Sequence, residues 1–278
     1  MVEQRTENAS PNELIERFIE SRPSGLSPLT IHRSYRLYLK RAREVIGFEV
    51  TGRDIQSFIN SRNCSNSGKH AYFRNIKVFY NWLYSPKSGF GLNSQANPII
   101  IVEPPKVEKK ILPSLKAEEL DYVINHAQCI RDKAIISLFA DSGLRLSELA
   151  NIEINNIDWE HRLIKVKCKG NKEGLAPFGV QTDSLLRQWL GQHSGARRLW
   201  DINRSGIKIM LRRLMVKTGL PCNAHTFRRT FASILAKRGV DSLHIQRLGR
   251  WESMSMVERY TRSVRFEDSL KTYSVIVA

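Results

Sequence analysis

The sequence predicts a mainly α-helical protein with a small antiparallel β-sheet, divided into a helical first domain and an α+β second domain. Apolar residues recur at helical spacing along most of the chain. One segment, residues 162–180, alternates as paired β-strands do. A stretch at 87–113 contains several prolines, glycines and lysines, which is typical of a linker. The length of 278 residues suits two domains, since domains commonly hold roughly 100–200 residues.

Four amphipathic helices are predicted in the first domain, residues 11–86, after a polar end at 1–10 that we expect to be disordered. The helices are expected at about 12–21, 28–46, 52–60 and 69–84. Two of them carry recurrent positive charge with few acids, which indicates either a DNA-phosphate face or an ordinary solvated surface. The candidate DNA-binding residues are Arg33, Arg36, Lys40, Lys69, Arg74 and Lys77.

The second domain, residues 114–278, is predicted to combine further helices with one β-hairpin. The helices are expected at about 115–127, 129–141, 182–191, 205–217 and 226–238, and the strands at 162–167 and 175–180. Lys169 falls in the turn of the hairpin. It is either a side chain that reaches into a DNA groove or an ordinary exposed lysine.

Arg145 is predicted to lie at a junction between two helices. Gly143 ends one helix and Ser147, or a near neighbour, begins the next. Backbone amides and a guanidinium can bind one anion at such a junction. The alternative is a salt bridge between Arg145 and Glu148, three residues later.

The charge of the chain narrows the classes of partner. Lysine and arginine number 44 against 27 acidic residues, and the net charge is +17. This surplus favours a polyanion, with nucleic acid first and an acidic membrane second. No apolar run approaches the roughly 18 residues that span a bilayer, and the polar N-terminus lacks the pattern of a signal peptide. We therefore expect a cytoplasmic protein without membrane contact, whose four scattered cysteines form neither a zinc site nor disulfides.

A possible reaction centre lies between His225 and Tyr260. His225 and Arg228 are three residues apart and share one face of a predicted helix. An arginine can hold phosphate oxygens in a planar fork, a histidine can move protons, and a tyrosine can attack. Together these residue types indicate chemistry on a phosphate.

Five motifs occur in a recognisable order along the chain. They are Gly-Leu-Arg-Leu-Ser-Glu-Leu at 143–149, Lys-Gly-Asn-Lys at 169–172, His-x-x-Arg at 225–228, Leu-Gly-x-Trp at 248–251, and Tyr260. Over nearly its whole length the sequence resembles the tyrosine recombinase (phage integrase) family in its compact, Xer-like form. The first domain resembles the family's core-binding, SAM-like domain, and the second resembles its catalytic domain.

The resemblance implies a role for each motif residue. Tyr260 corresponds to the nucleophile that joins a DNA 3′-phosphate. Arg145 and Arg228 correspond to the pair that grips the non-bridging oxygens. Lys169 corresponds to the lysine that protonates the leaving 5′-oxygen, and His225 to the histidine of the His-x-x-Arg box.

Trp251 lies nine positions before Tyr260, where family members carry histidine or tryptophan. The chain departs here from the commonest pattern, because Arg250 stands between Gly249 and the tryptophan. A core tryptophan is the alternative reading of Trp251. Two further alternatives stay open, namely Lys172 for Lys169 and Arg229 for Arg228.

The resemblance implies a site-specific recombinase or integrase that cleaves and rejoins double-stranded DNA through a covalent 3′-phosphotyrosine. It is expected to act as a homo-tetramer on two DNA sites and to be a monomer or dimer free in solution. The covalent intermediate conserves the bond energy, so we expect no metal, no ATP and no other cofactor. Neither an acidic cluster for magnesium nor a phosphate-binding glycine loop is evident. The alternatives are a type IB topoisomerase-like nicking and rejoining enzyme, or a non-catalytic DNA-binding regulator.

Overall fold

The computed structural model describes residues 9–22, 28–108, 112–168, 170, 172–192, 197–261, 264 and 267–270. The chain forms two compact units, Met1–Lys109 and Lys110–Ala278. The predicted fold class is confirmed, since the described residues are mostly helical with a three-stranded antiparallel sheet. Within this part of the chain, no helix has both the length and the apolar character needed to cross a membrane.

The first unit is helical. Its elements are α1 (Pro11–Glu20), α2 (Pro28–Thr30), a π-helical segment (Ile31–Arg36), α3 (Leu37–Arg41), α4 (Gly52–Ser61) and α5 (Asn66–Leu83). Aromatic rings form the centre of its core. Phe18 on α1 lies edge-on against Phe79 and Trp82 on α5, with ring centroids 5.6 and 5.4 Å apart.

Side-chain caps set the ends of these helices. Ser10 and Glu13 form a reciprocal capping box at the start of α1. Helix α5 begins at Asn66, so the predicted start at residue 69 is wrong by three residues. The hydroxyl of Ser65 accepts a hydrogen bond from the Gly68 amide at 3.3 Å, which extends the helix into the predicted loop.

The segment predicted as a linker, residues 87–113, contains the division between the two units. Much of it packs against the first unit. Three short 3₁₀ turns lie at Pro86–Ser88, Ser94–Ala96 and Pro98–Ile101. Ile99 and Val102 are buried in the core of the first unit, and the Glu103 amide donates to the side chain of Gln56 at 2.9 Å.

The second unit combines helices with a small sheet. Its helices are α6 (Ala117–Asn125), α7 (Ile130–Ser142), α8 (Leu146–Ala150), α9 (Val180–Gln192), α10 (Arg204–Thr218), α11 (Ala224–Lys237), α12 (Ser242–Gly249) and α13 (Met254–Thr261). The strands are β1 (Ile157–Asp158), β2 (Leu163–Lys167) and β3 (Glu173–Pro177), in the order β1–β2–β3. Ile164 pairs with Ile157 on one side and Ala176 on the other, and all three are buried.

The predicted hairpin is confirmed with different limits. Strand β3 begins at Glu173, inside the predicted turn, and ends at Pro177. Val180, predicted as the end of a strand, instead begins α9. The carboxylate of Asp141 on α7 accepts hydrogen bonds from the Gly179 amide at 2.8 Å and from the Thr182 hydroxyl at 2.5 Å. These bonds cap the start of α9 from another helix.

Helix α7 runs through the core of the second unit. Phe139 on α7 stacks on Phe227 of α11, with centroids 5.9 Å apart and the ring planes within 10° of parallel. A further buried cluster joins α11, α12 and α13 through Phe231, Ile245, Trp251 and Val257. This cluster fixes the C-terminal helices against α11, and through them the position of the predicted nucleophile.

Candidate active site

A cavity of about 620 Å³ in the second unit brings together four predicted site residues, Arg145, His225, Arg228 and Tyr260. Its described lining also includes three basic residues of α10 and no aspartate or glutamate. A second cavity of about 400 Å³, between α10 and the turn after α6, contains none of the predicted site residues. The cavity that holds Arg145, His225, Arg228 and Tyr260 is therefore positively charged, as the binding of an anion requires.

Arg145 lies at the predicted helix junction. Gly143 ends α7 with φ 57°, and a Cβ there would lie 2.6 Å from the ring of Phe231, so only glycine fits. Arg145 is the N-cap of α8, and its backbone amide donates to Glu148 Oε2 at 2.9 Å. Its Nη1 donates to Glu148 Oε1 at 2.7 Å. The salt bridge and the cavity position therefore occur together, which the sequence left as alternatives.

Arg228 is almost fully buried, at 2% exposure. Its Nη1 donates to the carbonyl oxygen of Gly143, and its Nη2 donates to that of Gly249 at 2.6 Å. The guanidinium carbon lies 4.5 Å from the centre of the Trp251 ring. Desolvation, followed by the charges of Arg145 and Arg250, lowers the pKa of Arg228 to about 10. The group stays charged at neutral pH, and a bound anion would relieve the cost of its burial.

His225 lies in the first turn of α11, which is capped by the side chain of Asn223 through a 3.0 Å bond from the Thr226 amide. His225 is exposed and lines the cavity. Partial desolvation, followed by the charges of Arg229, Arg228 and Arg145, lowers its pKa below the usual 6.5. The neutral form, which can accept a proton, is therefore favoured near neutral pH.

Tyr260 is half-buried on α13 and lines the cavity. Its ring centroid lies 5.3 Å from that of Trp251, which also packs against Phe231 at 6.2 Å. Trp251 is 5% exposed, and its indole N–H has no acceptor among the described residues. Trp251 does not line the cavity itself. Arg228 and Tyr260, which do line it, pack against the Trp251 ring. Trp251 is thus a core residue that also contacts two residues of the candidate site.

The predicted lysine, Lys169, lies outside the described residues. The alternative Lys172 is exposed just before β3, and its carbonyl accepts a hydrogen bond from the Cys168 amide at 2.7 Å. Arg229 points elsewhere, since its Nε donates to the Pro113 carbonyl at 2.8 Å and its Nη2 to the Thr226 hydroxyl at 3.0 Å. The structure thus places Arg228, and not Arg229, at the cavity.

The six candidate DNA-binding residues lie in the first unit and differ in their partners. Glu16 pairs with Arg36 at 2.5 Å and with Lys40 at 3.5 Å. Lys69 donates to the Asn60 carbonyl at 2.7 Å, and the ammonium of Lys77 lies 5.7 Å from the centre of the Phe73 ring. The remaining two, Arg33 and Arg74, are exposed.

Sequence reasoning missed two sets of residues near the cavity. Arg204, Lys208 and Arg212 recur every fourth residue along α10, and all three are exposed and line the cavity. That spacing was a signal available in the sequence. The side chain of Arg250 is 8% exposed, and its Nε lies 3.9 Å from Oε2 of Glu148. Only the tertiary structure shows its contacts, since they come from distant segments of the chain.

Comparison with known proteins agrees with this geometry. The model of the phage integrase family matches residues 113–265. Tyrosine recombinase XerA of Saccharolobus solfataricus is 27% identical over 248 residues, which cover 89% of this chain and 78% of that protein. Tyrosine recombinase XerC of Chromobacterium violaceum is 27% identical over 288 residues, covering 94% and 93%.

Among solved structures, a lambda integrase dimer bound to a COC′ core site has the same fold, with a TM-score of 0.74 at 14% identity, covering 92% of this chain and 97% of that one. The family model spans more than half of the sequence. The resemblance inferred from the motifs is thereby confirmed, and the chain belongs to the phage integrase family.

Proposed function

We propose that this protein is a site-specific tyrosine recombinase that cleaves and rejoins double-stranded DNA through a covalent 3′-phosphotyrosine at Tyr260. One observation carries the proposal: Arg145, His225, Arg228 and Tyr260 share a cavity whose described lining is rich in basic side chains and lacks carboxylates. A phosphodiester is the anion that this combination of two guanidiniums, an imidazole and a phenol suits best.

In the proposed reaction, the Tyr260 oxygen attacks phosphorus and the bond to the 5′-oxygen breaks. Negative charge grows on the non-bridging oxygens in the transition state. The guanidiniums of Arg145 and Arg228 stabilise this charge without rearranging, because both are held by neighbouring groups. His225 in its neutral form accepts the phenol proton, and Lys169 donates a proton to the leaving oxygen.

Double-stranded DNA is the proposed partner. The net charge of +17 supports this, and so does the row of Arg204, Lys208 and Arg212, which extends the positive surface beyond the reacting groups. The first unit is proposed as a second DNA-binding domain through its basic helices. Strand exchange between two duplexes needs four active sites, so we propose a homo-tetramer on two DNA sites. Sedimentation of the protein with DNA that carries two sites should show four protomers bound to each pair of sites.

The DNA site can be found and the nucleophile tested in one experiment. The full chain is incubated with a duplex library of randomised sequence, denatured, and the DNA that remains attached to protein is sequenced. We expect DNA joined by its 3′ end to a peptide containing Tyr260. Tyr260→Phe should form no adduct, whereas Tyr122→Phe should behave as the wild type, since Tyr122 is an exposed residue of α6 that packs on His126.

Adducts formed by Tyr260→Phe would disprove the assignment of the nucleophile. Relaxation of supercoiled DNA without a recombinant product would favour the topoisomerase-like alternative. Site-dependent binding without any adduct would favour a non-catalytic regulator.

A further inference from the structure

Arg250 has a backbone conformation and a set of contacts that the reaction alone does not explain. Its φ of 55° lies in the left-handed region, which residues with side chains rarely adopt. Its guanidinium donates to carbonyl oxygens of three separate elements, namely Ser142 of α7 at 2.9 Å, Leu175 of β3 at 3.0 Å and Leu248 of α12 at 2.7 Å. A strained residue that is held this firmly commonly serves a site.

The same residue is linked to Arg145 directly and, in addition, through Glu148. Its carbonyl oxygen accepts a hydrogen bond from Arg145 Nη2 at 3.4 Å. Its Nε lies 3.9 Å from Oε2 of Glu148, while the other oxygen of that carboxylate binds Arg145 Nη1 at 2.7 Å. Glu148 is therefore shared between two arginines.

The burial of Glu148 makes this sharing important. Its side chain is 2% exposed, and a buried carboxylate that loses its partner is strongly destabilising. A phosphate in the cavity would share the guanidinium of Arg145 with Glu148, which stays bound to Nη1. The Nε–H of Arg250 has no hydrogen-bond acceptor among the described residues and faces the same carboxylate. Its positive charge helps to compensate Glu148 while Arg145, still held by that carboxylate, also binds the phosphate.

We propose that Arg250 is a positioning residue that sets the orientation of the Arg145 guanidinium, through Glu148 and through its own carbonyl oxygen. The inference rests on the proposed function, in which Arg145 binds a non-bridging oxygen of the reacting phosphate. Arg250 itself need not touch DNA, since Nη1 and Nη2 of its guanidinium donate to the three carbonyls and its Nε faces Glu148.

Arg250→Gly provides the first test, because glycine keeps the left-handed backbone and removes the guanidinium. Arg162→Gly is the matched control. Arg162 has φ 51°, and it is an exposed residue of the turn between β1 and β2. The probe is the duplex recovered by sequencing covalent adducts, and the measurements are single-turnover adduct formation, DNA affinity by fluorescence anisotropy, and melting temperature.

We expect Arg250→Gly to slow adduct formation by about 10- to 100-fold, the loss that a misplaced catalytic group produces, with little change in affinity. Arg162→Gly should match the wild type. Arg250→Lys keeps the buried charge without the planar fork and should also be slow, and it serves in place of the glycine variant should that variant fail to fold. Wild-type rates in both folded Arg250 variants would overturn the inference.

A double variant separates positioning from simple structural support. Because Arg250 is proposed to act on Arg145 largely through Glu148, Arg250→Gly combined with Glu148→Gln should be little slower than the slower single variant. Independent effects would multiply, and multiplication of the two effects would count against the proposed route through Glu148.

A readout without DNA keeps this inference distinct from the proposed function. In full-length protein labelled with ¹⁵N-arginine, the heteronuclear NOE of the Arg145 Nε–H reports the order of the guanidinium. We expect this order to fall in Arg250→Gly and to be retained in Arg162→Gly. Should the wild type form no adduct with any duplex, the proposed function fails, and the NOE alone decides. An unchanged NOE in Arg250→Gly would overturn the positioning role.

Discussion

At the scale of single residues, Arg228 is the most constrained group of the candidate site. It hydrogen-bonds to two backbone carbonyls and not to a carboxylate, and its guanidinium lies over the ring of Trp251. A lysine cannot reproduce this planar, stacked fork. We predict that Arg228→Lys slows adduct formation by about 10²–10³-fold, the usual cost of removing one preorganised donor, while DNA affinity changes by only a few-fold.

Arg229→Lys is the control for that prediction, because Arg229 is the adjacent buried arginine of the same helix. Its partners are the Pro113 carbonyl and the Thr226 hydroxyl, away from the cavity. The melting temperature should fall, while the folded protein keeps its rate. If Arg229→Lys instead abolished adduct formation and Arg228→Lys did not, the alternative assignment would be correct.

His225 gives a prediction for pH. Its pKa is lowered in the folded protein, first by desolvation and then by the neighbouring arginines. The unfolded chain therefore binds the proton more readily, so stability falls as the pH drops through 6.5 towards the folded pKa and is unaffected by this group above that range. The wild type should lose more stability between about pH 7 and about pH 5 than His225→Gln in urea unfolding.

Protonation of His225 should also affect the rate of adduct formation. If the neutral imidazole accepts the proton of Tyr260, the rate of adduct formation falls on acidification with a midpoint below pH 6.5, and this limb is absent in His225→Gln. A midpoint above 6.5, measured with DNA well below saturation so that the free protein is observed, would contradict the lowered pKa of His225.

Residues whose positions depend on local spacing could be placed from the sequence. His225 and Arg228 share one helical face at three residues apart, and Gly143 marks a helix end that places Arg145. Arg250 could not be predicted. Its partners Ser142 and Leu175 lie far away in the sequence, and an arginine in a left-handed conformation contradicts the preference of that conformation for glycine.

At the scale of elements, the end of α12 lies close to the segment that follows it, and this close approach positions the ring of Trp251. A Cβ on Gly249 would lie 2.1 Å from the ring of Trp251. Gly249→Ala must therefore displace the ring against which Arg228 and Tyr260 pack. We predict a decrease of about 1–3 kcal/mol in the free energy of unfolding, typical of overpacking, together with slower adduct formation.

Gly191→Ala is the matched control, since a Cβ at that position of α9 meets nothing within 4 Å. Alanine in a helix is favoured over glycine, so urea unfolding should show equal or greater stability with an unchanged rate. Equal behaviour of the two alanine variants would mean that the tryptophan can move without consequence.

Local caps leave a pattern in the sequence, although the prediction missed the one that Ser65 forms at the start of α5; remote caps leave no such pattern. Glu13 and Ser10 are three residues apart, which is a recognisable pattern. The cap of α9 comes from Asp141, on a different helix. We predict that Asp141→Ala costs about 1–2 kcal/mol of stability, as the removal of a helix cap does. Asp121→Asn, at an exposed position of α6, should change the stability by less than about 0.5 kcal/mol.

At the scale of the whole molecule, the net charge of +17 predicts binding to a polyanion, but not which side chains take part. The structure divides the basic residues of the first unit. Glu16 already pairs with Arg36 and Lys40. Arg33 and Arg74 are exposed and form no ion pair with any described residue. A cation without an ion-pair partner can neutralise a DNA phosphate without first leaving a carboxylate of the protein. Each phosphate that is neutralised releases counterions from the DNA.

Two double variants that remove the same charge test this division. In Arg33→Gln with Arg74→Gln, the slope of log affinity against log salt concentration should fall by about 0.9 for each phosphate that the variant no longer neutralises. In Arg36→Gln with Lys40→Gln, the slope should fall less, because Glu16 already offsets part of that charge. Anisotropy titrations with one duplex at several salt concentrations give both slopes. Equal slopes would show that net charge alone controls binding, and a larger fall in the second variant would place the phosphate-binding face around Glu16.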